Sequence, residues 1–131
     1  MMARARPCSA AVRRGRLAKA KQFRRGAELL ADTGDDDHDL ADAYVTLCIH
    51  AGIAAADVIC CARLARHAQG DNHSDAVDLL ASVSATLAAS LDLLLKMKTR
   101  SAYSELNATA GDRRRAQRAA DKLLAAAQLV A

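Results

Sequence analysis

A chain of 131 residues is long enough for one domain with a continuous core, and it needs neither disulfides nor a metal to hold that core together. Hydrophobic residues make up 52% of it but aromatic residues only 2%. With the apolar share carried by Ala and Leu, this argues for closely packed helices and against an aromatic platform that reads nucleic-acid sequence. The formal net charge of +4 is modest, no run reaches the roughly 20 uninterrupted apolar residues of a bilayer span, and Met1 to Arg6 is not followed by an apolar signal core; together these predict a cytoplasmic protein with no membrane association.

Residues 1–7 read as a disordered tail and residues 8–131 as a single helical domain. The first helix begins near Ser9, an N-cap type just after Pro7, and runs to about Ala31. Leu17, Ala20, Phe23, Ala27 and Leu30 form its apolar stripe, and Gly34 is its natural stop. The second helix spans about Asp39 to Arg66. It carries Leu40, Tyr44, Leu47, Ala51, Ala54, Val58, Cys61 and Ala65 at alternating steps of four and three, the pattern of a bundle seam. Gly52 costs this helix roughly 1 kcal/mol relative to Ala, and close approach of a neighbouring helix is the compensation expected.

"AQGDNH" interrupts the pattern, with Gly70 as a stop and Asn72 as a cap for a third helix from about His73 to Arg100. The weakly specified "ASVSATLAAS" is where that helix could divide. The last helix opens at "TAGD", where Thr109 caps and Asp112 sits at the third position, and continues through Ala116, Ala120, Leu123, Ala127 and Val130. The prediction is an all-α, antiparallel up-and-down bundle of four helices, or five if the third divides.

Cys8, Cys48, Cys60 and Cys61 lack the paired CxxC spacing of zinc or redox sites, so they read as small buried thiols, and no metal or cofactor is expected. Charge is unevenly placed. Every charged side chain from Met1 to Arg25 is basic, whereas "DTGDDDHD" just after is acidic. The basic block could meet phosphates or an acidic partner, or could simply be a solvated helix face.

His50 and Asp57 stand seven apart, close to one angle of the second helix and about 10 Å apart along its axis. Both border the seam, where an unpaired carboxylate would be costly. "KMKTRSAY" lies on the next hairpin arm and offers Lys96, Lys98, Arg100 and Tyr103, and Lys98 or Arg100 is the partner expected for Asp57.

The stretches "YVTLCIHAGIAAADVICCARLARHAQGDNH", "LLLKMKTRSAYSE" and "RRRAQRAADKLLAAAQLV" resemble small bacterial members of the HEPN superfamily (higher eukaryotes and prokaryotes nucleotide-binding) from Tyr44 to Val130. The resemblance implies a four or five helix up-and-down bundle, usually a homodimer. Many members are metal-independent endoribonucleases with an arginine, a polar residue after it, and a histidine a few positions on. Others are inactive binding or accessory modules in toxin–antitoxin and defence systems, beside a nucleotidyltransferase or antitoxin partner.

Arg66, His67 and His73 satisfy that pattern, with six residues between Arg66 and His73. A histidine can move the proton of an attacking 2′-hydroxyl or of the leaving oxygen, and an arginine can stabilise charge on the phosphate. The family's motif generally falls on the late helix, where this chain has Lys98, Arg100 and Tyr103 but no histidine. The simpler expectation for Arg66 and His67 is a basic helix end, and for His73 a first-turn residue that fixes the loop. The leading functional expectation is therefore a module binding RNA, nucleotide or a partner protein, with His50, Asp57, His67, Lys98, Arg100 and Tyr103 as its polar cleft. A metal-independent endoribonuclease using Arg66 and His73 is the alternative, and a purely structural interaction module docking through the basic first helix is a third.

Overall fold

The computed structural model describes residues 5–33, 40–69 and 72–131. Five helices make up nearly all of it: α1 (Ala10–Thr33), α2 (Ala41–Leu64), α3 (His73–Ala81), α4 (Ala85–Tyr103) and α5 (Ala110–Val130). Two three-residue strands, β1 (Ala5–Pro7) and β2 (Arg66–Ala68), pair antiparallel, with Ala5 opposite Ala68, Arg6 opposite His67 and Pro7 opposite Arg66. The all-α bundle is as expected, in its five-helix form. The little sheet is a correction, because Ala5–Pro7 is an ordered strand rather than part of a tail, and Arg66 to Ala68 is a strand rather than a helix end.

Contacts between helices fix their directions. Arg16 meets Asp57, Phe23 meets His50, and Gly26 faces Leu47, so α1 runs antiparallel to α2. Gly52 faces Leu94 on α4 and Leu123 on α5, and the Thr46 hydroxyl lies 3.3 Å from that of Ser101, so α4 is antiparallel to α2. Arg113 of α5 stacks over the Tyr44 ring at 4.7 Å, so α5 runs with α2. The second helix is thus the central rod of the bundle. A seam of eight residues understates it: Val45, Cys48, Ile49, Ala55, Ala56, Ile59 and Cys60 are buried as well, whereas Leu40 and Ala65 at its ends are exposed. Neighbours on several sides at once require a helix apolar nearly all round. Among the described residues it is the one helix long and apolar enough to cross a bilayer, and 72% of its most apolar window is buried inside the bundle.

Helix ends follow side-chain chemistry. The Ser9 hydroxyl accepts from Val12 N–H, Asn72 Oδ1 from Asp75 N–H and the Ser84 hydroxyl from Leu87 N–H, each satisfying a backbone donor with no partner inside its helix. Ser82 to Ser84 is the division foreseen between the third and fourth helices. Gly34, Asp39 and Gly70, read as helix boundaries, lie outside the described residues. The second helix stops instead at Ala65, whose φ of 58° is left-handed and whose N–H bonds the Cys61 carbonyl.

Thr109 and Asp112 form the foreseen capping box, with Thr109 N–H to Asp112 Oδ2 at 2.9 Å and Asp112 N–H to the Thr109 hydroxyl at 3.0 Å. Asp112 is 3% exposed and also pairs with Arg100, 3.5 Å away, and with Arg115. The Thr109 N–H bond lowers its pKa most; burial opposes this, and the Thr109 hydroxyl, Arg100 and Arg115 add to the lowering. Because the folded pKa lies below the unfolded one, this stability is present above the ordinary carboxylate range and is lost as pH falls through the lowered value. Asp112→Ala is expected to cost about 1–2 kcal/mol at neutral pH, and its deficit in urea midpoint should shrink as the wild-type carboxylate protonates in acid.

Strand pairing brings Cys8 to the end of the second helix, where its N–H bonds the Ala65 carbonyl at 3.2 Å and its sulfur is bonded to Cys61. The expectation of four free thiols is thereby corrected to two, Cys48 and Cys60, both buried. Burial pushes the Cys48 thiol up to about 11 and that of Cys60 up to about 12, so neither is a nucleophile at neutral pH.

Candidate functional site

Asp57 sits on the inner face of α2 at 8% exposure. Its partner comes from an unexpected side. Arg16 of α1 approaches Oδ2 at 3.2 Å, and Nδ1 of His67 on β2 lies 3.9 Å from Oδ1. Neither Lys98 nor Arg100 pairs with it; Arg100 is spent on Asp112. The helix hairpin α1–α2 supplies the cation more directly than α4 can, because Arg16 stands one turn before Ala20 on the stripe that faces α2.

His67 is 6% exposed, and its Nδ1 lies 2.8 Å from the Ala68 carbonyl. A carbonyl only accepts, so Nδ1 carries a proton. Strand alternation accounts for the position, since His67 turns inward while Arg66 before it is exposed.

Burial raises the Asp57 pKa above the usual carboxylate value, with Arg16 and then His67 opposing the rise. Relative to the unfolded chain, folding therefore makes ionisation of Asp57 harder, and the stability linked to this shift is present below the ordinary carboxylate range and lost as pH rises through the raised value. Asp57→Asn keeps the shape without the buried charge. It is expected to unfold at the same or a higher urea concentration than the wild type at pH 7, with the two converging in acid. A clear loss of stability at pH 7 would mean that the Arg16 and His67 pairs outweigh the cost of burial.

Beside Asp57, between α2, α3 and α4, lies a cavity of about 90 Å³. Ile53, Ala56, Cys60, Ala68, Ala76, Leu91 and Leu95 give it apolar walls, and Asp57, Asn72, His73 and Lys98 supply its polar groups. His73 opens α3, so the Asn72 cap that starts this helix also sets the histidine against the cavity. Lys98 has no carboxylate within ion-pair distance among the described residues.

The expected cleft is thus assembled only in part. Asp57, His73 and Lys98 come together, with His67 immediately behind Asp57. His50 does not join them: it is exposed on α2, its ring 5.5 Å from Phe23, and partial burial followed by the Lys98 charge lowers its pKa. Tyr103 is 81% exposed at the end of α4, and Arg66 is exposed and does not line the cavity. The Arg66 and His73 pair is therefore not gathered around one cavity: His73 lines it and Arg66 does not.

Arg16 and Arg24 were missed. Arg24 forks onto Asp121 of α5, Nε to Oδ1 at 2.6 Å and Nη2 to Oδ2 at 3.4 Å. Both arginines interleave with Leu17, Ala20, Phe23 and Ala27, so their place on the apolar stripe was the signal that they turn inward. Comparison with family models, with curated proteins and with solved structures returns no match.

Proposed function

We propose that this chain is a HEPN-like helical-bundle binding module acting on or beside RNA or nucleotides, as an accessory component of a bacterial toxin–antitoxin or defence system. The observation that carries this is the cavity rim, where Lys98 and His73, neither paired with a carboxylate among the described residues, flank an apolar wall next to the Asp57 carboxyl that Arg16 approaches. A cation at such a mouth attracts an anion, and the walls favour a flat or apolar group. The volume of about 90 Å³ is far below the roughly 300 Å³ of a pocket that swallows a whole ligand. One group of a larger molecule, such as a phosphate or the edge of a base, suits it better. The function proposed is binding rather than cleavage, because general acid–base chemistry needs histidine and arginine converging on one phosphate and Arg66 does not line the cavity that His73 lines. A homodimer, a nucleotidyltransferase or antitoxin partner, and a cytoplasmic location belong to the same proposal.

The test incubates the pure protein with labelled RNA in EDTA, beside Arg66→Ala, His73→Ala and Lys98→Ala, and follows both binding and cleavage. The expected result is intact RNA throughout, with affinity reduced in Lys98→Ala and falling with salt. Metal-independent cleavage lost in both Arg66→Ala and His73→Ala would overturn the proposal in favour of an endoribonuclease. No binding of RNA or of ATP would leave the structural-interaction alternative.

A further inference from the structure

On the far side of the bundle, α4 and α5 enclose a shallow groove of about 340 Å³, lined by Thr86, Ala89, Ser90, Leu93, Arg115, Arg118, Ala119 and Lys122. None of these residues belongs to the cavity at Asp57. The floor is apolar, from Ala89, Leu93 and Ala119, and one wall is cationic. Arg115, Arg118 and Lys122 follow one another at steps of three and four, so they form a single line about 10 Å long on one face of α5. Arg115 is engaged with Asp112, but Arg118 and Lys122 have no acidic partner among the described residues. The same helix places Asp121 on its other side, bonded to Arg24, so α5 sorts its charges and leaves only positive ones along the groove.

We infer that this groove is a docking site for an acidic amphipathic helix of a partner protein. A third helix laid between two antiparallel ones is the natural filling of such a furrow. Carboxylates spaced at steps of three and four along its flank would meet Arg115, Arg118 and Lys122 in register, while its apolar face covers Ala89, Leu93 and Ala119. A second copy of this chain fits poorly. A two-fold contact brings a patch onto itself and would set the three cations against their own copies. Single-stranded nucleic acid fits less well too, because the lining contains no aromatic ring on which a base could stack.

The experiment uses the full chain and a fluorescein-labelled amphipathic peptide built from repeats of Glu, Ala and Leu, with its Lys-for-Glu counterpart and a labelled oligouridylate as comparisons. Fluorescence anisotropy is expected to show binding of the acidic peptide with Kd on the order of 10 μM, weakening with salt. The Lys-for-Glu peptide should not bind. Arg118→Glu combined with Lys122→Glu should weaken the acidic peptide about tenfold or more and create weak binding of the Lys-for-Glu peptide, a gain that a merely unfolded variant would not display. Equal binding of the acidic peptide by wild type and double variant, or no binding at all, would overturn the inference. So would binding of oligouridylate that the double variant abolishes while the acidic peptide stays unbound. Lys98→Ala should leave binding of the acidic peptide unchanged, which separates failure of this inference from failure of the proposed function.

Discussion

Reducing the bond between Cys8 and Cys61, or replacing Cys61 by Ser, is expected to lower the unfolding free energy by about 4 kcal/mol. The bond closes a loop of 53 positions, and chain-entropy arguments give about that magnitude for a loop of this length. A domain of this size holds only about 5–15 kcal/mol in all, so much of its margin depends on one covalent link. Urea titrations with and without reductant measure the effect. Cys61→Ser should match the reduced wild type and show no further response to reductant. Coincident curves for verified oxidised and reduced protein would refute the expectation. The bond also bears on location, because structural disulfides persist where the surroundings are oxidising. Acid-trapping the thiols of freshly lysed cells would report whether the protein is oxidised where it works.

Leu94→Ala is the second large effect, a loss of about 3 kcal/mol. Leu94 is fully buried, and removing a leucine side chain from a closed core costs about 2–5 kcal/mol. Its closest counterpart is Gly52: a Cβ there would overlap Leu94 Cδ1 and come within 3.3 Å of Leu123 Cδ1. Gly52→Ala alone therefore trades better helix propensity against overpacking, and a net loss of about 1 kcal/mol is expected. In the double variant the new methyl occupies space that Leu94 vacates. The combined loss should fall short of the sum by about 1 kcal/mol. Strict additivity of the two changes, measured by urea unfolding, would mean that they do not share that space.

Helix positions were legible because Ala and Leu repeat at helical spacing and because Ser9, Asn72 and Thr109 are capping residues whose hydroxyl or amide oxygen accepts from a first-turn amide. Gly52 was legible for a related reason: its entropic cost made sense only if another helix came close, and Leu94 does. What could not be read was which neighbour each inward polar group would find. Asp57 needed a cation, and the chain offers many; only the packing of α1 against α2 selects Arg16 over Lys98. The strand at Arg66 to Ala68 was hidden because three residues carry no periodicity, and it exists through pairing with Ala5–Pro7 across the length of two helices. With that pairing came the inward turn of His67, the outward turn of Arg66 and the meeting of two cysteines far apart in the chain.

The first helix holds on differently from the others. Of its 24 residues only Ala20 and Ala27 are fully buried, so small methyls, together with the Arg16 and Arg24 ion pairs, hold it where Leu91, Leu94 and Leu95 hold α4. Apolar burial this thin contributes little against the entropy of detachment. Its backbone amides should accordingly trade hydrogen for deuterium well before those of α2, in an opening event that raised ionic strength hastens and that leaves the rest of the bundle closed.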